Sequence, residues 1–159
     1  MITDLRSAIL CDEVGHGPDG RLDLKGVWEG VLYADTRPGL VACYLVLILG
    51  LDGAATRFDV RMRGPNLDQR SKTPSGIPAG WGAVSVSMAL TVPVFAPGKI
   101  MMSVTDRGTG KSWSVPWQIA FAPDAEVLAP DMVEKLKAAL DLDDPMTAQL
   151  AAGMRTSRQ

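Results

Sequence analysis

The sequence predicts a mainly β protein, an antiparallel β-sandwich, immunoglobulin-like or related, of about seven strands with a short helical tail at its C-terminus. Three observations predict it. Apolar residues recur at every second position through much of residues 8–121, the period of a strand with one buried face. Turn-forming residues interrupt these stretches at short intervals, and helical spacing enters only after residue 130. Residues 1–123 are therefore expected to form the sandwich and residues 124–159 a helical extension of the same domain. A chain of 159 residues is long enough to bury one full core without disulfides or metal.

The first strand is expected at Ala8–Val14, followed by the turn-rich Gly15-His16-Gly17-Pro18-Asp19-Gly20, whose Asp-Gly suits a hairpin. Arg21–Trp28 resumes as a strand, with Leu22, Leu24 and Gly26 alternating against Arg21, Asp23 and Lys25. Asp35-Thr36-Arg37-Pro38-Gly39 reads as a break. The run Leu40–Leu51 is too uniformly apolar for a surface strand, and well short of the roughly 20 residues of a membrane-spanning helix. It is expected at the centre of a sheet. Asp52-Gly53 turns the chain into Thr56–Arg63, where Phe58, Val60 and Met62 should point inward.

From Gly64 to Gly80 the sequence carries Pro65, Pro74 and Pro78 and shows no period. A connection of this length in a compact domain is usually functional, so it is the first segment to examine for binding. Val84–Val92 alternates again, Phe95-Ala96-Pro97-Gly98 makes a corner, and Ile100–Thr105 leads into the turn Asp106–Gly110. The last strand spans Ser112–Phe121. Pro116 lacks an N–H there, which favours an edge position or a bulge. A helix is expected from Asp131, with Glu134 completing a capping box and Val133, Leu136 and Leu140 on one stripe. Asp144 and Pro145 suggest a second helix carrying Met146 to Met154, and residues 155–159 should fray.

The chain has 16 basic and 18 acidic residues, a formal charge of −2, spread along its whole length. Phosphate recognition wants clustered Lys and Arg, so nucleic acid is not an expected partner, and neither is a membrane. Met1–Arg6 lacks the basic start and apolar run of a secretory signal, which points to the cytoplasm. Cys11 and Cys43 lie in apolar stretches and are expected as packed thiols.

No pattern calls for a cofactor, a metal or a catalytic group. Gly108-Thr109-Gly110-Lys111-Ser112 ends like a phosphate-binding loop, but Thr105 stands where the motif needs glycine. Trp113-Ser114-Val115-Pro116-Trp117 follows it with strand alternation rather than a helix, so a hairpin turn is expected. His16 is the only histidine; a site joining it to Cys11 and Asp19 lacks the paired spacings of metal ligands. Asp12 and Glu13 are adjacent on a strand and point to opposite faces. Asp141-Leu142-Asp143-Asp144 lacks the glycine and distal Glu of a calcium loop and reads as helix capping. Among the tryptophans, Trp113 and Trp117 should share a face as core or sheet covering, and Trp81, which closes the long loop, should pin that loop to the sandwich.

The expected function is a non-enzymatic protein-binding or assembly module, with self-association into a homo-oligomer as one form. The alternative is a small-molecule or carbohydrate binder that uses Asn66, Asp68, Gln69, Arg70, Lys72 and Trp81. An enzyme centred on His16 ranks last.

Ile9-Leu10-Cys11-Asp12-Glu13-Val14 followed by Gly20-Arg21-Leu22-Asp23-Leu24-Lys25-Gly26-Val27 resembles the opening signature of a family of small uncharacterised bacterial domains. Its members carry Cys or Ala, an acidic pair and Val, then Gly-Lys/Arg-Leu-x-Leu-x-Gly-Val. Phe95–Ile100 and Trp117-Gln118-Ile119 are similar to that family's closing hairpin. The resemblance spans about Ala8 to Phe121; it implies a β-sandwich and carries no assigned active site.

Overall fold

The structure, a computed structural model, describes residues 1–65, 67–71, 76–141 and 147–150, with side chains through residue 138. The described chain runs β1 (Ile2–His16), β2 (Leu22–Val27), β3 (Val31–Arg37), β4 (Gly39–Leu51), β5 (Phe58–Gly64), β6 (Leu67–Arg70), β7 (Ala83–Val94), β8 (Gly98–Asp106), β9 (Ser112–Val127), α1 (Pro130–Asp141) and β10 (Thr147–Leu150). Among the described residues the protein is mainly β, with two five-stranded sheets and one short helix near the C-terminus. Sheet I has the order β10-β7-β4-β1-β2 and sheet II the order β3-β9-β8-β5-β6.

The apolar run predicted to be central is so. β4 pairs with β1 on one side and with β7 on the other. Its register with β7 runs unbroken from Gly39↔Val94 to Gly50↔Ala83. The odd-numbered residues of β4 from Val41 to Leu51 turn inward, as do Val84 to Val92 at alternate positions of β7. Sheet II answers with Leu32, Phe58, Val60, Met62, Ile100, Met102, Val104 and Ile119, and both sets belong to one buried cluster. Each such side chain is worth about 1.5–3 kcal/mol relative to exposure. Phe58, Val60 and Met62 therefore point inward as their alternation predicted.

Ten strands replace the expected seven among the described residues, and three of them lie where other structure was expected. β3 occupies the segment whose end was read as a break, because Leu32 and Ala34 are buried at alternate positions ahead of the turn formers. β6 lies inside the expected loop of residues 64–80, paired with β5 from Arg61↔Arg70 to Gly64↔Leu67. That loop is pinned further by Leu67 and Ile77, both core residues, and by a bridge between Thr56 and Ile77. At the C-terminus Thr147–Leu150 is a strand along β7 rather than part of a helix. The remainder of the expected second helix and the end at residues 155–159 lie outside the described residues.

An all-antiparallel arrangement was also expected, and one pair departs from it: β3 runs parallel to β9. No tight turn joins these two strands, so nothing local imposes opposite directions. Pro116 resolves similarly. The N–H of Gln118 donates to the Gly30 carbonyl at 2.9 Å, so the position two residues earlier also faces the β3 side. Pairing with β3 begins only at Gln118, so the missing donor of Pro116 points to a local edge although β9 as a whole is internal. Pro116 breaks no register with β8, and Trp113 and Trp117 do share the inward face. α1 begins at Pro130, one residue ahead of the expected cap at Asp131, and its described side chains are exposed or half-buried. Among the described residues no helix is long and apolar enough to cross a membrane.

Candidate functional site

The residues singled out in the 64–81 segment do not converge. On β6, Asp68 and Arg70 share the outer face of sheet II, while Gln69 turns the other way and its Nε2 donates to the Thr91 carbonyl at 3.3 Å. Asp68 is engaged by Arg61 through Nε and Nη2, both at 2.8 Å. That guanidinium holds the Asp68 carboxyl below the ordinary carboxylate range. Trp81 is half-buried against the core, pinning its own segment. Asn66 and Lys72 lie outside the described residues.

The chemical lures take structural parts. His16 is exposed at the end of β1 opposite Leu22. Cys11, an odd number of positions away, faces the other side of the same strand. Among the described residues no three His, Cys, Asp or Glu side chains come together to hold a metal ion. Burial, followed by the neighbouring Cys11 and Asp12, pushes the Cys43 thiol up to about 12; burial and Asp12 raise Cys11 as well. Both therefore stay protonated and unreactive at neutral pH. Gly108–Ser112 is a hairpin turn between β8 and β9 with no helix behind it. The buried Asp106 organises it, accepting from the N–H groups of Gly108 at 2.8 Å and Thr109 at 3.1 Å. Lys111 lies over the Trp113 ring, 5.0 Å from its centroid. In the first hairpin Asp12 accepts from Trp28 Nε1 at 3.1 Å. Its carboxylate occupies the space a Cβ on Gly26 would need, where φ is 65°.

A cleft of about 630 Å³ opens between Ala55–Arg57, Gly76–Pro78 and Arg107–Gly108. Its lining offers two guanidiniums, and that of Arg107 is clamped on Asp59 at 2.6 Å. Among the described residues no carboxylate, thiol or imidazole lines it.

The strongest asymmetry lies between the two outer faces. That of sheet II is charged, with Asp59, Arg61 and Arg63 alternating along β5 and the Arg61–Asp68 and Arg107–Asp59 ion pairs laid across it. The outer face of sheet I is different. Even-numbered positions 40 to 50 of β4 are Leu, Ala, Tyr, Val, Ile and Gly; odd-numbered positions 83 to 93 of β7 are Ala, Ser, Ser, Ala, Thr and Pro. Ser7, Ile9 and Cys11 continue the face on β1, opposite Ile48, Val46 and Tyr44. Val27 extends that last row onto β2. Val46 and Cys11 are fully buried, while Val27, Leu40 and Tyr44 stand 51%, 39% and 37% exposed. Charge lies on β1 and β2: Asp4 stands opposite Gly50 and pairs with Arg6 at 3.4 Å, and Glu13, Lys25 and Asp23 follow toward the β2 edge. Sequence reasoning missed this face. Its signal was the apolar character of Leu40–Leu51 at both parities, the pattern of a strand covered on two sides.

These features define, among the described residues, a two-sheet, mainly β domain with one charged outer face and one whose β4 and β7 positions carry no charged residue. No family model matches the chain, and no curated protein matches it.

Proposed function

We propose that this chain is a bacterial cytoplasmic β-sandwich, immunoglobulin-like or related, that acts as a non-enzymatic protein-binding or assembly module through the outer face of sheet I. The resemblance of its first hairpin to the uncharacterised bacterial family favours the sandwich. The observation that carries the functional reading is that no outward position of β4 or β7 holds a charged residue. A solvent-facing antiparallel sheet ordinarily alternates apolar-in with polar-out, as sheet II does, and a contiguous exposed apolar surface marks an interaction site. The reading of a small-molecule binder on residues 64–81 has less support, because Asp68 and Gln69 already serve other partners.

Site-specific photo-crosslinking in cells tests the reading. A crosslinker at Ala42 or Ala89, both exposed on this face, should give a discrete protein adduct, and one at Ser114, exposed on sheet II, should not. No adduct from either face, or equal adducts from both, contradicts it.

A further inference from the structure

Strand pairing gathers cations that the sequence spreads along the chain. We infer that the β5–β6 side of the outer face of sheet II binds the phosphate backbone of a nucleic-acid duplex, without reading its base sequence. Arg61 and Arg63 stand outward on β5, and Arg70 faces Arg61 from β6. Lys99 lies two positions from Met101, the partner of Arg63 on β8, and so shares the face. At the other end Arg107 donates its N–H to the Arg57 carbonyl at 2.9 Å and lays its guanidinium on Asp59. Arg57 and Arg107 line the cleft of about 630 Å³ together. Among the described residues these six cations meet three carboxylates, Asp59, Asp68 and the buried Asp106, a positive surplus on a chain whose formal charge is −2. The Asp68 carboxyl registers the crowding: its bonds to Arg61 hold it down, and the fields of Arg63 and Arg70 lower it further.

Four of the six cations, Arg57, Arg63, Arg70 and Lys99, are exposed and form no salt bridge among the described residues. From Arg57 to Arg63 the strip runs about 20 Å at the rise of a strand, the length of about six phosphates of one duplex strand. All but Lys99 are guanidiniums, whose planar fork matches a pair of phosphate oxygens. A protein partner needs an apolar centre inside its polar rim. Here the outward neighbours on β8 are Ser103 and Thr105, and Met101 is the one large apolar side chain that the strip exposes among the described residues. Contact with phosphates is electrostatic and needs no such centre. Single-stranded nucleic acid needs aromatic rings on which bases stack. No described outward position of β5, β6 or β8 carries one, so the duplex backbone is the polyanion that fits.

Fluorescence anisotropy of the full chain with a labelled DNA duplex of mixed sequence, about 20 base pairs long, tests the assignment. At about 50 mM salt binding should be micromolar. Its logarithm should fall with the logarithm of salt at a slope of roughly −3 to −4, one phosphate for each of the four cations without a salt bridge. Arg63→Gln and Arg70→Gln break no ion pair and should keep the β-type circular dichroism. Each should weaken binding about tenfold at this salt and reduce the slope by about 1. Lys25→Gln, on β2, should bind as the wild type does. A labelled polyglutamate peptide should bind at least about tenfold more weakly than the duplex. Absence of duplex binding, a folded Arg63→Gln or Arg70→Gln chain with wild-type affinity and slope, or an equal loss in Lys25→Gln would each overturn the proposal. Equal or tighter binding of polyglutamate would overturn it in favour of an acidic protein segment, and equal or tighter binding of a single strand would overturn the choice of a duplex.

Discussion

A carboxylate taken out of water costs less when backbone N–H groups replace the solvent, and Asp106 is placed for that. Its Oδ2 accepts from Ile2 N–H at 2.6 Å, and its Oδ1 from the turn amides of Gly108 and Thr109. One buried side chain therefore ties the start of β1 to the β8–β9 hairpin. Burial alone would raise this carboxyl, but the amides of Ile2, Thr109 and Gly108 outweigh it and hold it below the ordinary range. The folded value thus lies under the unfolded one, and the stabilisation is complete above the unfolded value of about 4. It drains away as pH falls through the folded value. Asp106→Asn should cost about 1–3 kcal/mol at pH 7 in urea unfolding, with the gap to wild type shrinking once pH drops below about 4. A gap that stays constant down the acid limb would contradict the assigned role.

At the scale of elements, legibility followed the strength of the local pattern. β5 could be read because Phe58, Val60 and Met62 alternate with charge; β4 could be read because nothing polar interrupts it. β6 could not, since Leu67–Arg70 is short, mostly polar and bounded by Pro65 and Ser71, and only pairing with β5 makes it a strand. At Thr147–Leu150 the Asp144-Pro145 signal favoured a helix, and a tertiary partner, the free edge of β7, supplied the alternative. Packing also orders the elements by stability. β4 is hydrogen-bonded on both sides and contributes Leu45, Leu47 and Leu49, all 0% exposed, whereas α1 has no fully buried side chain among those described. Amide hydrogen exchange should be slowest along β4 and at least about a hundredfold faster in α1, which opens locally without global unfolding. Equal protection in both would mean that α1 is docked more firmly than its exposure indicates.

For the whole molecule, the inner faces of the two sheets were legible and the outer ones were not. Periodicity says which residues turn toward a core, yet Leu40–Leu51 satisfies it at either parity, so the sequence alone does not separate inward from outward. Register with β1 and β7 makes that separation and puts Tyr44 outside in a row with Ala89, Cys11 and Val27. The candidate residues at 66–72 drew attention through loop-like composition, a local property. The uncharged outward rows of β4 and β7 lie side by side, and that becomes visible only once the two strands are aligned.

The chain's two tyrosines give the most direct test, because each stands on one outer face. Tyr33 on sheet II is 45% exposed and Tyr44 on sheet I is 37% exposed in the single chain. Hydroxyl-radical footprinting in cells should oxidise Tyr44 at least about tenfold more slowly than Tyr33 if the sheet I face is covered by a partner. Comparable rates at the two residues would mean that the face lies open to water, and the account would fail.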